Sequence, residues 1–144
     1  SLKFYIQNPD SKKKDKPQDE STRFVLYLGQ KDATGDYMGL ILKDHKVEWI
    51  YKLGDDEPTH LTVDEEIGEQ FATVRINRIL QYGHMSVTVE KQTLHETKGD
   101  SVAKGEHGLF NFRPHNTVLY MGGYPSSFKP PLPLRYPNYR GCIE

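Results

Sequence analysis

The sequence predicts an all-β fold, an antiparallel sandwich or barrel, on three observations. Short runs rich in aromatic and β-branched residues recur along the chain. Glycine- and proline-containing turn signals separate them, and no stretch sustains the apolar period of a long amphipathic helix. The runs appear in order as Phe4-Tyr5-Ile6, Phe24-Val25-Leu26-Tyr27-Leu28 and Tyr37–Leu42, all dense in side chains that fit a pleated, half-buried surface. Val47–Lys52 then places Val47, Trp49 and Tyr51 on one face and Glu48, Ile50 and Lys52 on the other. Asp64–Ile79 is the one competitor for a helix, because Ile67, Phe71 and Val74 sit near helical spacing. Thr73, Val74, Ile76 and Ile79 favour a strand over its second half, Phe71–Arg78. Met85–Glu90 alternates apolar and polar as a half-buried strand does, and Thr117–Met121 completes the series.

Turn signals fall at Thr34-Gly35-Asp36, Leu53-Gly54-Asp55-Asp56, Tyr82-Gly83-His84 and Gly122-Gly123-Tyr124-Pro125. Alternation within the runs predicts a core of Leu26, Leu28, Leu40, Leu42, Trp49, Val74, Ile76, Val87, Val89 and Leu119. Three segments read as loops, about 8–22, 93–107 and 124–137. The first carries Lys12, Lys13, Lys14 and Lys16 ahead of Pro17, and the second is polar and contains glycine. The third holds Pro130, Pro131, Pro133 and Pro137, which cannot donate to a central ladder and suit an extended crossover.

A chain of 144 residues is the size of one domain with a single core. Its 35% hydrophobic and 27% charged content fits a soluble domain with a thin core and long polar loops. No apolar run approaches the ~18 residues of a membrane-spanning helix. The N-terminal Ser1–Ile6 lacks the apolar region and cleavage site of a signal peptide. A net charge of -1 argues against non-specific nucleic-acid binding, which needs an excess of Lys and Arg to neutralise phosphates. Cys142 is the single cysteine. It reads as a small buried hydrophobe in a cytosolic protein, and as a free thiol or half of a disulfide with a partner further downstream in a secreted one.

Catalytic signatures are lacking. The six histidines, His45, His60, His84, His95, His107 and His115, are scattered and form no HExxH or HxH pattern, so they read as solvated loop residues rather than zinc ligands. There is no GxSxG elbow and no phosphate-binding P-loop, and nothing around Cys142 marks a nucleophile.

The tail is the most specific part of the chain. Val118-Leu119-Tyr120-Met121-Gly122-Gly123-Tyr124-Pro125 leads through the proline-rich link to Tyr139-Arg140-Gly141-Cys142-Ile143. Together with Tyr27-Leu28-Gly29 and Gly35-Asp36-Tyr37-Met38-Gly39-Leu40, these motifs stand in an order that resembles a laminin G-like (LG) domain. The nearest likeness is to the second LG module of a laminin alpha chain, and it extends over most of residues 1–144. The resemblance implies a jelly-roll β-sandwich of the concanavalin-like kind, lacking one or both terminal strands. It implies a secreted module of the basement membrane that takes part in integrin binding with neighbouring LG modules and the other laminin chains, with no insertion into the membrane. It further implies that Cys142 pairs with a cysteine beyond Glu144. Some glycosidases share this architecture and need two carboxylates flanking one bond. The clusters here, Asp55-Asp56-Glu57 and Asp64-Glu65-Glu66, read as solvated loops, so no enzyme is expected.

Two binding sites follow as expectations. Calcium-binding LG domains, by the same resemblance, would place their ligands at Asp36, the Leu53 carbonyl, the Leu109 carbonyl and Asn111. Such a set of oxygens from loops meeting at one rim is what the ion takes. A shift of two residues in that alignment would bring Arg113 to the rim instead, and Asp36 alone reads equally as a turn residue. The cluster of Lys12, Lys13, Lys14 and Lys16 is a candidate contact for sulfated glycan, as in a lectin-like module. Asp10, Asp15, Asp19 and Glu20 dilute its field, which favours a plain solvated loop. Arg75, Arg78 and Lys91 would extend the patch if they shared its face. The tail aromatics Tyr120, Tyr124, Phe128, Tyr136 and Tyr139 either line a contact surface or cover the sandwich beneath the crossover. The second is expected of Tyr120 and Tyr139 as strand residues.

Overall fold

Period-two alternation becomes two antiparallel sheets in a computed structural model, which describes residues 2–8, 22–54, 57–79, 82–90, 94–102 and 114–144. The strands are β1 (Leu2–Ile6), β2 (Arg23–Gln30), β3 (Tyr37–Lys43), β4 (Lys46–Lys52), β5 (Thr59–Thr62), β6 (Ala72–Ile79), β7 (Tyr82–Glu90), β8 (Leu94–Val102) and β9 (Thr117–Met121). One sheet has four strands in the order β1-β6-β7-β8, the other five in the order β5-β4-β3-β2-β9. Among the described residues, the only helical pieces are 3-10 turns at Pro114–Asn116 and Leu132–Leu134.

Register explains the core between the sheets. Leu26 stands opposite Leu40, Leu40 opposite Trp49 and Trp49 opposite Leu61, so one row crosses the five-stranded sheet on its inner face. Phe4, Val74 and Val87 form the matching row on the other sheet. All of these are buried and belong to one hydrophobic cluster. Of the expected core, Leu28 is only partly buried, and Leu119 is 56% exposed. Leu119 lies on β9, the edge strand of the wider sheet, where five strands meet only four.

The five-stranded sheet is buried on its outer face as well. Tyr37 to Leu42 is buried without a break, so β3 shows no polar face. Phe24, Tyr27, Tyr37, Ile41 and Ile50 form a second cluster there, capped by Phe128 and Leu134 from the proline-rich segment. The Phe128 ring lies 4.9 Å from both Tyr27 and Tyr120. Gly39 is required by this cover, because a Cβ at that position would run into the Leu134 side chain and stand 2.9 Å from the Leu26 carbonyl. The segment holds its shape through its own polar bonds. The Arg135 guanidinium donates twice to the Pro130 carbonyl, at 3.2 and 3.0 Å, and the Tyr124 hydroxyl donates to the Tyr136 carbonyl at 3.0 Å.

Several sequence expectations are corrected. The expected loop 93–107 contains β8, whose nine residues pair with β7 from Leu94 to Val102. Its composition, Leu-His-Glu-Thr-Lys-Gly-Asp-Ser-Val, lacks apolar alternation, so backbone pairing rather than side-chain pattern defines it. β5 is also unforeseen. Tyr82-Gly83-His84 is no turn but the start of β7, with His84 opposite Asn77. Tyr139 packs against the inner cluster without lying in a strand, since only single bridges occur nearby, at Asn138 and Ile143. Glu65, expected to be solvated, is 7% exposed. At the terminal segments, β1 pairs with β6 on one side, and Tyr5 exchanges two backbone hydrogen bonds with Glu144 on the other, at 2.6 and 2.9 Å.

Burial pushes Tyr37 and Tyr139 each up to about 12 from the ordinary value of 10.0, and raises Tyr27 further in the same direction. The fold therefore favours the neutral phenols. Their contribution to stability is fully present below pH 10.0 and is lost as pH rises through about 12. Thermal melting as a function of pH is expected to stay level with respect to these groups up to pH 10 and to fall steeply above it.

Candidate functional site

The turn between β2 and β3 is shaped by its own side chains. The Asp32 Oδ1 accepts from the Thr34 backbone amide at 3.1 Å and from the Thr34 hydroxyl at 2.7 Å, a local ring that competes with extended structure. Gly35 follows at φ 75, a conformation that needs no Cβ. The next residue, Asp36, is thereby turned into the protein and is 5% exposed. Its Oδ1 accepts the Gly54 backbone N–H at 2.7 Å, a charge-assisted bond between the start of β3 and the turn after β4. Leu53, 1% exposed, stands beside that turn. Asp36 and Leu53 are thus brought together at one mouth of the sandwich. Leu109, Asn111 and Arg113 lie outside the described residues.

Arg78 lies near the end of β6, on the opposite sheet. Val74 and Ile76 face the inner core, and alternation places Arg78 on that side too. It lines a cleft of about 330 Å³ with Leu2, Leu28, Met38 and Leu119. Burial pushes its guanidinium below the ordinary arginine range, while Tyr51 and Asp36 pull it back up. An arginine stays charged through such a shift. The sequence gives no direct signal that the Asp36 charge acts on Arg78, because the two belong to different sheets.

Arg75 points the other way. Lys3, Arg75 and Ser86 occupy one register row across β1, β6 and β7, on the outer face of the four-stranded sheet. Lys3 and Arg75 are exposed, and the Lys3 ammonium lies 5.4 Å from the Tyr5 ring centroid. Arg75 and Arg78 therefore do not share a face. Lys12, Lys13, Lys14, Lys16 and Lys91 are outside the described residues. Elsewhere His45 Nδ1 meets Asn8 Nδ2 at 2.9 Å, His60 Nδ1 meets Glu48 at 2.8 Å, and the Lys46 ammonium meets Asp64 at 2.7 Å. Cys142 is exposed and unpaired in this chain.

Replacing Asp36 by Ala leaves the Gly54 amide without its acceptor and is expected to destabilise the protein by roughly 1–3 kcal/mol. Asp36→Asn, which keeps an oxygen acceptor, should cost less. Urea unfolding of the two variants against wild type checks both the size and the order.

Comparison with known proteins places this geometry. The laminin G domain family model matches residues 18–144. Human laminin subunit alpha-3 is 35% identical over 153 residues, covering 100% of this chain and 4% of the relative. Mouse laminin subunit alpha-4 is 32% identical over 152 residues, covering 100% of this chain and 8% of the relative. The chain thus spans a small share of the curated relatives it matches. Among solved structures, the LG1-3 region of the laminin alpha2 chain superposes with a TM-score of 0.72 at 18% identity, over 98% of this chain and 28% of that one. The LG4-5 domains of the mouse laminin alpha1 chain give 0.73 at 17% identity, over 98% of this chain and 32% of that one. These last two show the fold, a jelly-roll sandwich of two antiparallel sheets. Laminin alpha chains are secreted into the basement membrane, and no helix among the described residues is long and apolar enough to cross a membrane. The chain belongs to the laminin G domain family, as an extracellular-matrix module of the laminin alpha-chain kind.

Proposed function

We propose that this module serves integrin-mediated cell attachment in basement membrane, acting with neighbouring LG modules and the other laminin chains from the second position of the LG series. The observation that carries the reading is identity of 35% to laminin subunit alpha-3 over the whole chain, rather than over one motif. A binding role without catalysis accompanies it. In support, three carboxylates have structural partners: Asp36 with Gly54, Asp64 with Lys46, and Glu48 with His60.

A second reading, a lectin-like module for sulfated glycan, draws support from Lys3 and Arg75, exposed on the outer face of the four-stranded sheet. Strands lie ~4.8 Å apart, so these two positions are neighbours. Such a pair meets a polyanion as point charges, an attraction that salt weakens. The lysines at 12, 13, 14 and 16 would extend the same chemistry.

One experiment separates the two. The assembled laminin with this module deleted is compared with the intact assembly for attachment of integrin-bearing cells, and the isolated module is run on heparin. Lost attachment with flow-through at physiological salt is the outcome expected for the adhesion role. Unchanged attachment, with heparin retention that Lys3→Ala and Arg75→Ala abolish, would favour the glycan role instead.

A further inference from the structure

The cleft between the sheets runs from a buried row to an exposed one. Trp49, fully buried, lies on the inner row that crosses the five-stranded sheet, and it lines the cleft. On the next row, ~7 Å along the strands, Leu28 stands opposite both Met38 and Leu119, and burial falls away from Met38 to the exposed Leu119. On the facing sheet the lining continues with the buried Ile76 and then, two residues on, Arg78. The walls are thus mainly aliphatic, and the two polar side-chain groups among them, an indole N–H and a guanidinium, are donors that cannot accept. The Trp49 Nε1–H is buried and has no hydrogen-bond partner among the described residues. A buried donor without an acceptor is costly, and native structures seldom leave one so. Arg78 lies in part out of water, since burial is the first cause that lowers its guanidinium, and a counter-charge is held more strongly there.

We propose that this cleft binds a single-chain aliphatic carboxylate, its two oxygens accepting from the Arg78 guanidinium and the Trp49 indole N–H and its hydrocarbon running along Leu28 and Met38 toward Leu119. A carboxylate is acceptor-only and supplies what a donor-only lining lacks. The five N–H groups of a guanidinium serve it as well as the contacts that Arg78 makes within the chain. Size sets the length of the tail. An apolar cavity of about 150 Å³ takes a benzene ring, so the cleft of about 330 Å³ takes roughly a dozen heavy atoms, as in decanoate. The exposed Leu119 gives the far end of the tail an apolar surface to cover. This goes beyond the adhesion role and does not rest on it, since binding can be read on the isolated chain.

Trp49 is the only tryptophan of the chain, so its own emission reports on the cleft. Titration with sodium decanoate is expected to change that emission saturably, at one ligand per chain and below about 1 mM. Decanol, with the same hydrocarbon and no charge, is expected to bind at least about tenfold more weakly. Arg78→Met, which keeps an apolar stem, should weaken decanoate by about tenfold or more and leave decanol unchanged. Leu119→Glu, at an exposed position beside the tail, should weaken decanoate without unfolding the chain. No saturable change with decanoate, parity of decanol and decanoate, or undiminished decanoate binding by either variant would overturn the inference. Should Arg78→Met fail to fold, the two ligands on wild type decide: preference for decanoate sustains the inference and parity overturns it. Sedimentation and calorimetry test the other occupants. A dimer that decanoate does not dissociate and Leu119→Glu does would give the cleft to a second copy. Loss of decanoate binding in the multi-module laminin would give it to a neighbouring stretch of polypeptide. Either result overturns the inference, whereas a monomer and decanoate heat that Arg78→Met removes from the multi-module protein sustain it.

Discussion

Everything in this fold follows from one sheet that must be covered on both faces. β2, β3 and β4 carry apolar residues at successive positions, so the five-stranded sheet cannot leave either face in water. The four-stranded sheet covers one face through Phe4, Val74 and Val87. The other is covered by a segment with little regular structure, whose Phe128 and Leu134 fill the space over Tyr27 and Gly39. Proline suits this role because the segment needs an extended path and no ladder of its own. Where it ends, Phe24 takes the Pro137 carbonyl at 2.8 Å and stitches the cover to β2.

Placing the mouth residues depends on that arrangement. Because β3 is held from both sides, Asp36, the residue just before it, is fixed in direction and buried rather than turned into solvent. Gly35 and Gly54, both at positive φ, bring two turns close enough for one hydrogen bond. Arg78 lines the cleft between the sheets because β6 runs opposite and keeps its inner-facing parity toward its end. The wider sheet overhangs at β9, which is why Leu119 and Met121 remain 56% and 43% exposed on the same side as the cleft.

Much of this was legible in the residues. Aromatic and β-branched runs located β1 to β4, β6, β7 and β9, and the Gly-Gly and Gly-Asp turns carried the family likeness. β8 was hidden because no apolar side chain occurs between its terminal Leu94 and Val102, and β5 because four residues of Thr-His-Leu-Thr resemble a loop. The aromatic tail left two readings open, and the partner of Phe128, on a strand about a hundred residues earlier in the chain, decides for the cover. At the site, Asp36 and Leu53 were named by what the family resemblance implies, and the glycine turns at Gly35 and Gly54 bring them to adjoining positions. The place of Arg78 in the inner cleft has no such signal, since it is set by how two sheets superpose rather than by any local pattern.

The most direct test of this account is the stability of Phe128→Ala, a change in a segment that sequence alone would class as a loop. If the proline-rich segment is the lid of a second core, losing a ring that is 6% exposed should cost ~3–5 kcal/mol in urea unfolding. A loss below about 0.5 kcal/mol, the range of ordinary surface substitutions, would mean that the outer face of the sheet does not depend on its cover.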